Sequence, residues 1–203
     1  MGKPPGYLKR LREIGRADPT FDHIIQLEKE LFVSESDRAT GVLFGTLLEN
    51  NLRTLILSKM RGDLSLDETD RLMSFEGPVG SFSAKIRIAH AFDIIGPLVR
   101  DDLNLIREIR NAFAHSRIPI TFISPEVADA CTHLKIPDDP SSSIPQGLLA
   151  QLSEGGRSTS KDDPRLRFIT ACHAISYRMI LTRDHNYQRE GSRILAKGED
   201  LLP

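Results

Sequence analysis

The chain has 203 residues, 39% hydrophobic and 27% charged, with 27 lysines and arginines against 28 aspartates and glutamates. That is enough apolar material for one domain of ordinary size, and it excludes a disordered or fibrous chain. The formal net charge of −1 lacks the basic excess with which proteins grip duplex DNA over many phosphates, though a local basic patch remains open.

Two cysteines, Cys131 and Cys172, do not make a disulfide framework. No apolar run is long enough to span a bilayer, and the basic opening is not followed by the apolar stretch of a secretory signal. The expectation is a soluble cytoplasmic protein with no membrane contact. No fixed-period repeat points to a solenoid.

In chain order, residues 1–19 read as a basic, polar segment. Its "GKPPGYLKRLREIGR" suits either a nucleic-acid contact or a solvated helical face. A helical domain is expected over 20–187. It opens at "TFDHIIQLEKELF", where Phe21, Ile24, Ile25, Leu27, Leu31 and Phe32 recur at near-helical spacing. The stretch "SESDRATGVLFGTLLENNLRTLILSKMRG" predicts a long helix with Ser34 or Ser36 as N-cap and Gly62 as terminator. This helix is apolar on almost every side, from Val42, Leu43 and Phe44 to Leu55, Ile56 and Leu57, which places it at the centre of a bundle. Gly41 and Gly45, four apart, share a face on which another helix can come close. Glu49, Asn50, Asn51 and Arg53 interrupt the run and argue against a membrane dimer motif.

A Gly/Pro loop follows, then a helix expected from Ser83 to Ile95 and stopped by Gly96-Pro97. "RDDLNLIREIRNAFAHSRIP" predicts another helix, capped by Asp101 or Asp102 and closed before Pro119. "IPITFI" (118–123) is the only convincing β-branched run. Ser124 and Pro125 then open a short helix over "SPEVADACTHL". Residues 136–164, rich in Pro, Ser, Gly and Asp, read as a mobile excursion with at most one short helix near "PQGLLAQLS". A firm helix returns at "PRLRFITACHAISYRMILTRDHNYQRE", and 188–203 form a polar tail. The sum is an all-α, single-domain helical bundle of about six or seven helices.

The candidate chemistry lies in "RNAFAHS", residues 110–116. On a helix, Arg107, Asn111 and His115 form an i, i+4 ladder, while Arg110 falls on the apolar line of Leu103, Ile106 and Phe113. An arginine facing the core needs a carboxylate; Glu49 is the first choice and Asp37 the second. His115 sits in the last turn, where the helix dipole favours an imidazolium. Two readings stay open. In one, His115 exchanges a proton with a ribose hydroxyl or leaving oxygen, Arg110 stabilises charge on phosphorus, and Asn111 orients the phosphate. In the other no residue is catalytic, and Arg110 is held structurally while Asn111 and His115 brace a helix end. Cys131, His133, Cys172 and His173 lack the spacing of a zinc site, so no metal and no cofactor is expected.

The ordered blocks "ESDRATGVLFGTLLENNL", "FEGPVGSFSAKIRIAHAFDII" and "IREIRNAFAHS", followed by "FISPEVADACTHL", resemble the mannitol operon repressor (MltR) family over about residues 25–185. Arg110 to His115 also resembles the R-x4-6-H signature of the HEPN superfamily. The first resemblance implies an all-helical, self-associating negative regulator of transcription that acts through protein partners. The second implies, for relatives that cleave RNA, two copies of the motif paired across a dimer, here by Arg110 and His115. The 136–164 stretch departs from the family pattern. No short glycine turn joins two helices with a basic recognition face, so direct sequence-specific DNA binding is not expected. The reading that emerges is a non-enzymatic transcriptional regulator with a protein partner and a homo-oligomeric state. Its polar cluster is Asp37, Arg38, Glu49, Arg107, Arg110, Asn111 and His115, and the alternative is a metal-independent ribonuclease acting on RNA.

Overall fold

Ser36 opens the central helix: its side chain accepts the Ala39 N–H, and helix α2 then runs Asp37–Leu57. In the computed structural model, residues 20–33, 36–60, 62–139, 142 and 144–199 are described. The basic segment 1–19 and the alternative cap Ser34 lie outside them. Before α2 comes α1, Phe21–Val33. After it come α3 (Leu66–Met73), α4 (Phe82–Ala91), α5 (Pro97–His115), α6 (Pro125–Thr132), a 3-10 turn at Ile136–Asp138, α7 (Gln146–Glu154) and α8 (Pro164–Glu199). The chain is all-α, with eight α-helices and no strand among the described residues. α2 is the hub, packing on α1, α4, α5 and α8.

The eighth helix is α3, which the sequence reading passed over. It carries a complete capping box: Ser65 accepts the Glu68 N–H, and Glu68 accepts the Ser65 N–H in return. "IPITFI" forms no strand because its backbone is satisfied from elsewhere. Asp37 Oδ2 accepts the Phe122 N–H at 3.0 Å, and Arg38 Nη2 donates to the carbonyls of Ser116 and Ile118. α2 ends at Leu57 with Ser58 as its cap, one turn before Gly62. α4 ends at Ala91 rather than Ile95, because Asp93 takes a left-handed conformation (φ 55°) and the Ile94 N–H turns back to the Ala89 carbonyl. Gly96 is the N-cap of α5 and Pro97 its first residue, so the next helix starts a turn earlier than expected.

That earlier start removes Asp101 and Asp102 from the capping position. Asp102 is instead fully buried, and its carboxylate accepts the backbone N–H groups of Lys135 and Ile136 at 2.8–3.1 Å. The 136–164 stretch lays apolar side chains on the body, with Ile136, Ile144 and Leu152 buried, and α7 packs on α1. α8 continues as helix through 188–199, most of the stretch read as a polar tail.

The core is one contiguous cluster. Phe113 of α5, Phe122 of the following loop and Phe168 of α8 pack in sequence with tilted rings, their centroids 4.9 and 5.1 Å apart. Polar ties join α2 to α8, among them Asn51 Nδ2 to Ser176 Oγ at 2.9 Å, Asn186 Nδ2 to Ser58 Oγ at 3.0 Å and Arg165 Nη2 to Thr40 Oγ1 at 3.0 Å. Both cysteines are buried and free. Among the described residues no helix is long and apolar enough to cross a membrane.

The glycine face of α2 is occupied within the chain. A Cβ at Gly41 would run into the ring of Phe113, and one at Gly45 would lie 2.6 Å from Arg110 Cγ. These glycines are therefore used up by α5 and no longer argue for a second copy.

Gly41→Ala should lower stability by about 1–3 kcal/mol in a denaturant melt, since the fully buried Phe113 ring has nowhere to go. Gly147→Ala, in α7 with open space around it, should instead raise stability by about 0.5–1 kcal/mol. Asp102→Ala strips two amides of their acceptor and should cost about 1–3 kcal/mol for each one left unpaired. Burial pushes the Asp102 carboxyl above its ordinary value of 3.8, against the opposing pull of the Ile136 and Lys135 amides. A raised folded value means the folded chain keeps a proton that the unfolded chain has shed. The stability this contributes is complete below pH 3.8 and lost as pH rises through the folded value. As pH rises through that window, wild type should lose stability relative to Asp102→Asn, which does not titrate there, in urea melts.

Candidate functional site

Gly45 lets α5 approach α2, and the approach brings the Arg110 stem against the α2 backbone. One turn further along α2 stands Glu49. Arg110 Nη2 donates to Glu49 Oε2 at 2.7 Å, and Nη1 donates to Asn111 Oδ1 at 3.1 Å. From α4, Lys85 Nζ donates to Glu49 Oε1 at 2.9 Å and to the Gly80 carbonyl at 2.6 Å. The guanidinium also lies over the Phe82 ring, 5.8 Å from its centroid. Lys85 is 5% exposed, and Arg110 and Glu49 are each 22% exposed. One carboxylate thus serves two cations, and the terminal nitrogens of Arg110 are committed to protein acceptors.

The other residues of the expected cluster go elsewhere. Arg107, half-buried, pairs with its neighbour Glu108. His115 is exposed at the end of α5, and among the described residues it has no hydrogen-bond or ionic partner. Five positions separate it from Arg110, which on a helix is about 140° of rotation, so the two side chains leave α5 in different directions. Asp37, the second-choice partner for Arg110, faces α8 instead. Its Oδ1 lies 3.2 Å from Arg165 Nε and 3.8 Å from Arg157 Nη1. Arg38 closes the C-terminus of α5 through the Ser116 and Ile118 carbonyls.

The structure adds groups outside the expected polar cluster. Arg167 forks onto Asp138 at 2.7 and 2.9 Å and closes the end of α6 through the carbonyls of Cys131 and Leu134. This contact holds the Asp138 carboxyl below its usual range. Burial draws the Arg165 guanidinium below its ordinary value, with Asp37 pulling the other way. Glu28 and His173 form a buried pair at 2.7 Å between α1 and α8. Lys85 was legible: it lies three positions after Phe82 and four before Ala89, on the core line of α4.

Among the described residues no group of three His, Cys, Asp or Glu side chains is placed to hold a metal ion. His173 is engaged with Glu28, and His133 faces Asp129 at 3.9 Å. Burial pushes the Cys131 thiol up to about 12 and the Cys172 thiol well above its ordinary value.

No family model matches the chain, and no curated protein matches its sequence. Among solved structures, its fold is similar to that in the X-ray structure of the MtlR–HPr complex from Escherichia coli. The TM-score is 0.59 at 14% identity, covering 77% of this chain and 98% of that one. At that identity the likeness is one of fold. It agrees with the all-helical architecture that the MltR resemblance implies and does not bear on the Arg110–His115 motif.

The geometry ranks the substitutions. Glu49→Ala leaves two cations without their carboxylate and should cost the most, about 3–5 kcal/mol. Arg110→Ala leaves Glu49 with Lys85 and should cost about 1–3 kcal/mol, because the partly exposed pair retains some solvent. His115→Ala should melt within about 0.5 kcal/mol of wild type. Thermal melts of the three variants check the order.

Proposed function

We propose that the chain is a non-enzymatic regulator of transcription that acts through a protein partner, with HPr the first partner to test. The observation that carries this reading is the fold shared with nearly the whole of the MtlR-complex chain, a protein whose structure was solved with HPr bound. The polar cluster supports it. Arg110 is bound to Glu49 and Asn111, and Lys85 shares the same carboxylate, so the arginine braces three helices rather than standing open to a phosphate. The near-neutral charge, and a sequence in which no helix-turn-helix pattern is seen, favour control through another protein over direct reading of an operator.

One observation keeps the ribonuclease reading worth a control. His115 is exposed and, among the described residues, unpaired. That is where a proton-transferring imidazole would have to be.

Calorimetric titration with purified HPr from Escherichia coli should give saturable one-to-one binding in the micromolar range, about −8 kcal/mol. Incubation with single-stranded RNA in EDTA should give no cleavage. Absence of HPr binding, together with EDTA-resistant cleavage abolished by both Arg110→Ala and His115→Ala, would replace the regulator with the nuclease.

A further inference from the structure

Between the start of α2 and the loop joining α5 to α6 runs an open groove of about 590 Å³. Arg38, Arg117 and Arg157 line it, with Asp37 the acidic residue on its wall. Asp37 offsets part of the Arg157 charge at 3.8 Å, while the same carboxylate serves the Phe122 amide and faces Arg165 from α8. Arg117 is exposed and, among the described residues, has no hydrogen bond or ion pair. In a chain of net charge −1, this wall concentrates positive charge.

The groove is also apolar, and its shape is fixed. Ile118 is 68% exposed on its wall, and Ile123, 80% exposed, lies beside an adjoining cavity of about 160 Å³. That cavity, with Phe122, Leu152 and Leu166 among its lining residues, has room for a single aliphatic side chain and shares Asp37 and Arg157 with the groove. The loop carrying both isoleucines is pinned by Arg38 on the Ser116 and Ile118 carbonyls, by Asp37 on the Phe122 amide, and by the buried Phe122 ring. The backbone that presents these exposed side chains is therefore set before any partner arrives, which lowers the ordering cost of binding.

We propose that this groove docks an acidic segment of a protein partner, with carboxylates on the arginine wall and an aliphatic side chain in the adjoining cavity. The proposal rests on the protein-partner reading above and names the surface for it. Guanidinium groups match carboxylates in shape as well as charge. Single-stranded nucleic acid fits less well, since among the described residues no aromatic ring lines the groove for a base to stack on. The chain's own opening segment, "GKPPGYLKRLREIGR", is basic and has the wrong sign for this wall.

The test is fluorescence anisotropy on the full chain with three labelled probes: a peptide of interspersed glutamate and leucine, the same peptide with lysine for glutamate, and poly-uridine RNA. The glutamate peptide should bind, weaken as salt rises, and lose roughly tenfold or more in affinity to Arg117→Glu and to Ile118→Ser. Both substitutions are at exposed positions and should leave the melting curve unchanged. No binding of the glutamate peptide, equal binding by Arg117→Glu, or tighter binding of poly-uridine would each overturn the proposal. Titrating HPr into the same variants keeps the two readings apart. Failure of HPr to bind removes HPr as partner and leaves a positive peptide result standing. HPr binding untouched by Arg117→Glu, with no peptide binding, removes the groove and leaves the partner.

Discussion

The close crossing of α2 and α5 sets the geometry on which the rest of the molecule depends. Gly41 and Gly45 strip two side chains from one face of α2, and α5 fills the space with the Phe113 ring and the Arg110 stem. At that separation Arg110 has one carboxylate in reach, Glu49, a turn beyond Gly45 on the same face. Lys85 then enters from α4 onto the other oxygen, so three helices share one charged joint. On the other side, Phe113 passes the contact through Phe122 to Phe168, tying α8 to the same crossing. The Arg110–Glu49–Lys85 joint is thus a consequence of how these helices fit together.

Around this crossing the helix ends are closed by charged side chains from distant parts of the chain. Arg38 serves the end of α5 and Arg167 the end of α6, while Arg165 donates to the Phe32 carbonyl near the end of α1. Asp37 and Asp102 do the converse, accepting amides at Phe122 and at Lys135–Ile136. A free helix terminus leaves backbone groups to water, and a buried one needs a partner. Side chains from other helices supply those partners here, so the connecting loops hold defined shapes without strands.

The helical content was legible because apolar spacing is a local property, and so was the Glu49–Arg110 contact, since both residues follow from the faces of two well-defined helices. Asp102 was not. Read locally, an aspartate near a helix start is a cap, and only the fold shows that its amides lie more than thirty positions away. "IPITFI" misled for a related reason: β-branched side chains favour extended backbone, but whether that backbone pairs with a strand or with Asp37 and Arg38 is a tertiary matter. The Asp93 turn that ends α4 left little trace in the sequence, since aspartate adopts a left-handed conformation only where its surroundings hold it there. α3 is legible locally, since Ser65 and Glu68 carry its start signal in the sequence.

The two cysteines give the molecule an internal gauge of its own integrity. A thiol reacts with alkylating reagents as the thiolate, and burial holds both Cys131 and Cys172 far from that form at neutral pH. Cys131 lies on α6, which docks against α8, and Cys172 lies within α8 itself. Labelling at either position is then a record of how often α6 and α8 part. In the folded chain the sulfur is silent, and each modified molecule marks one passage through an open state.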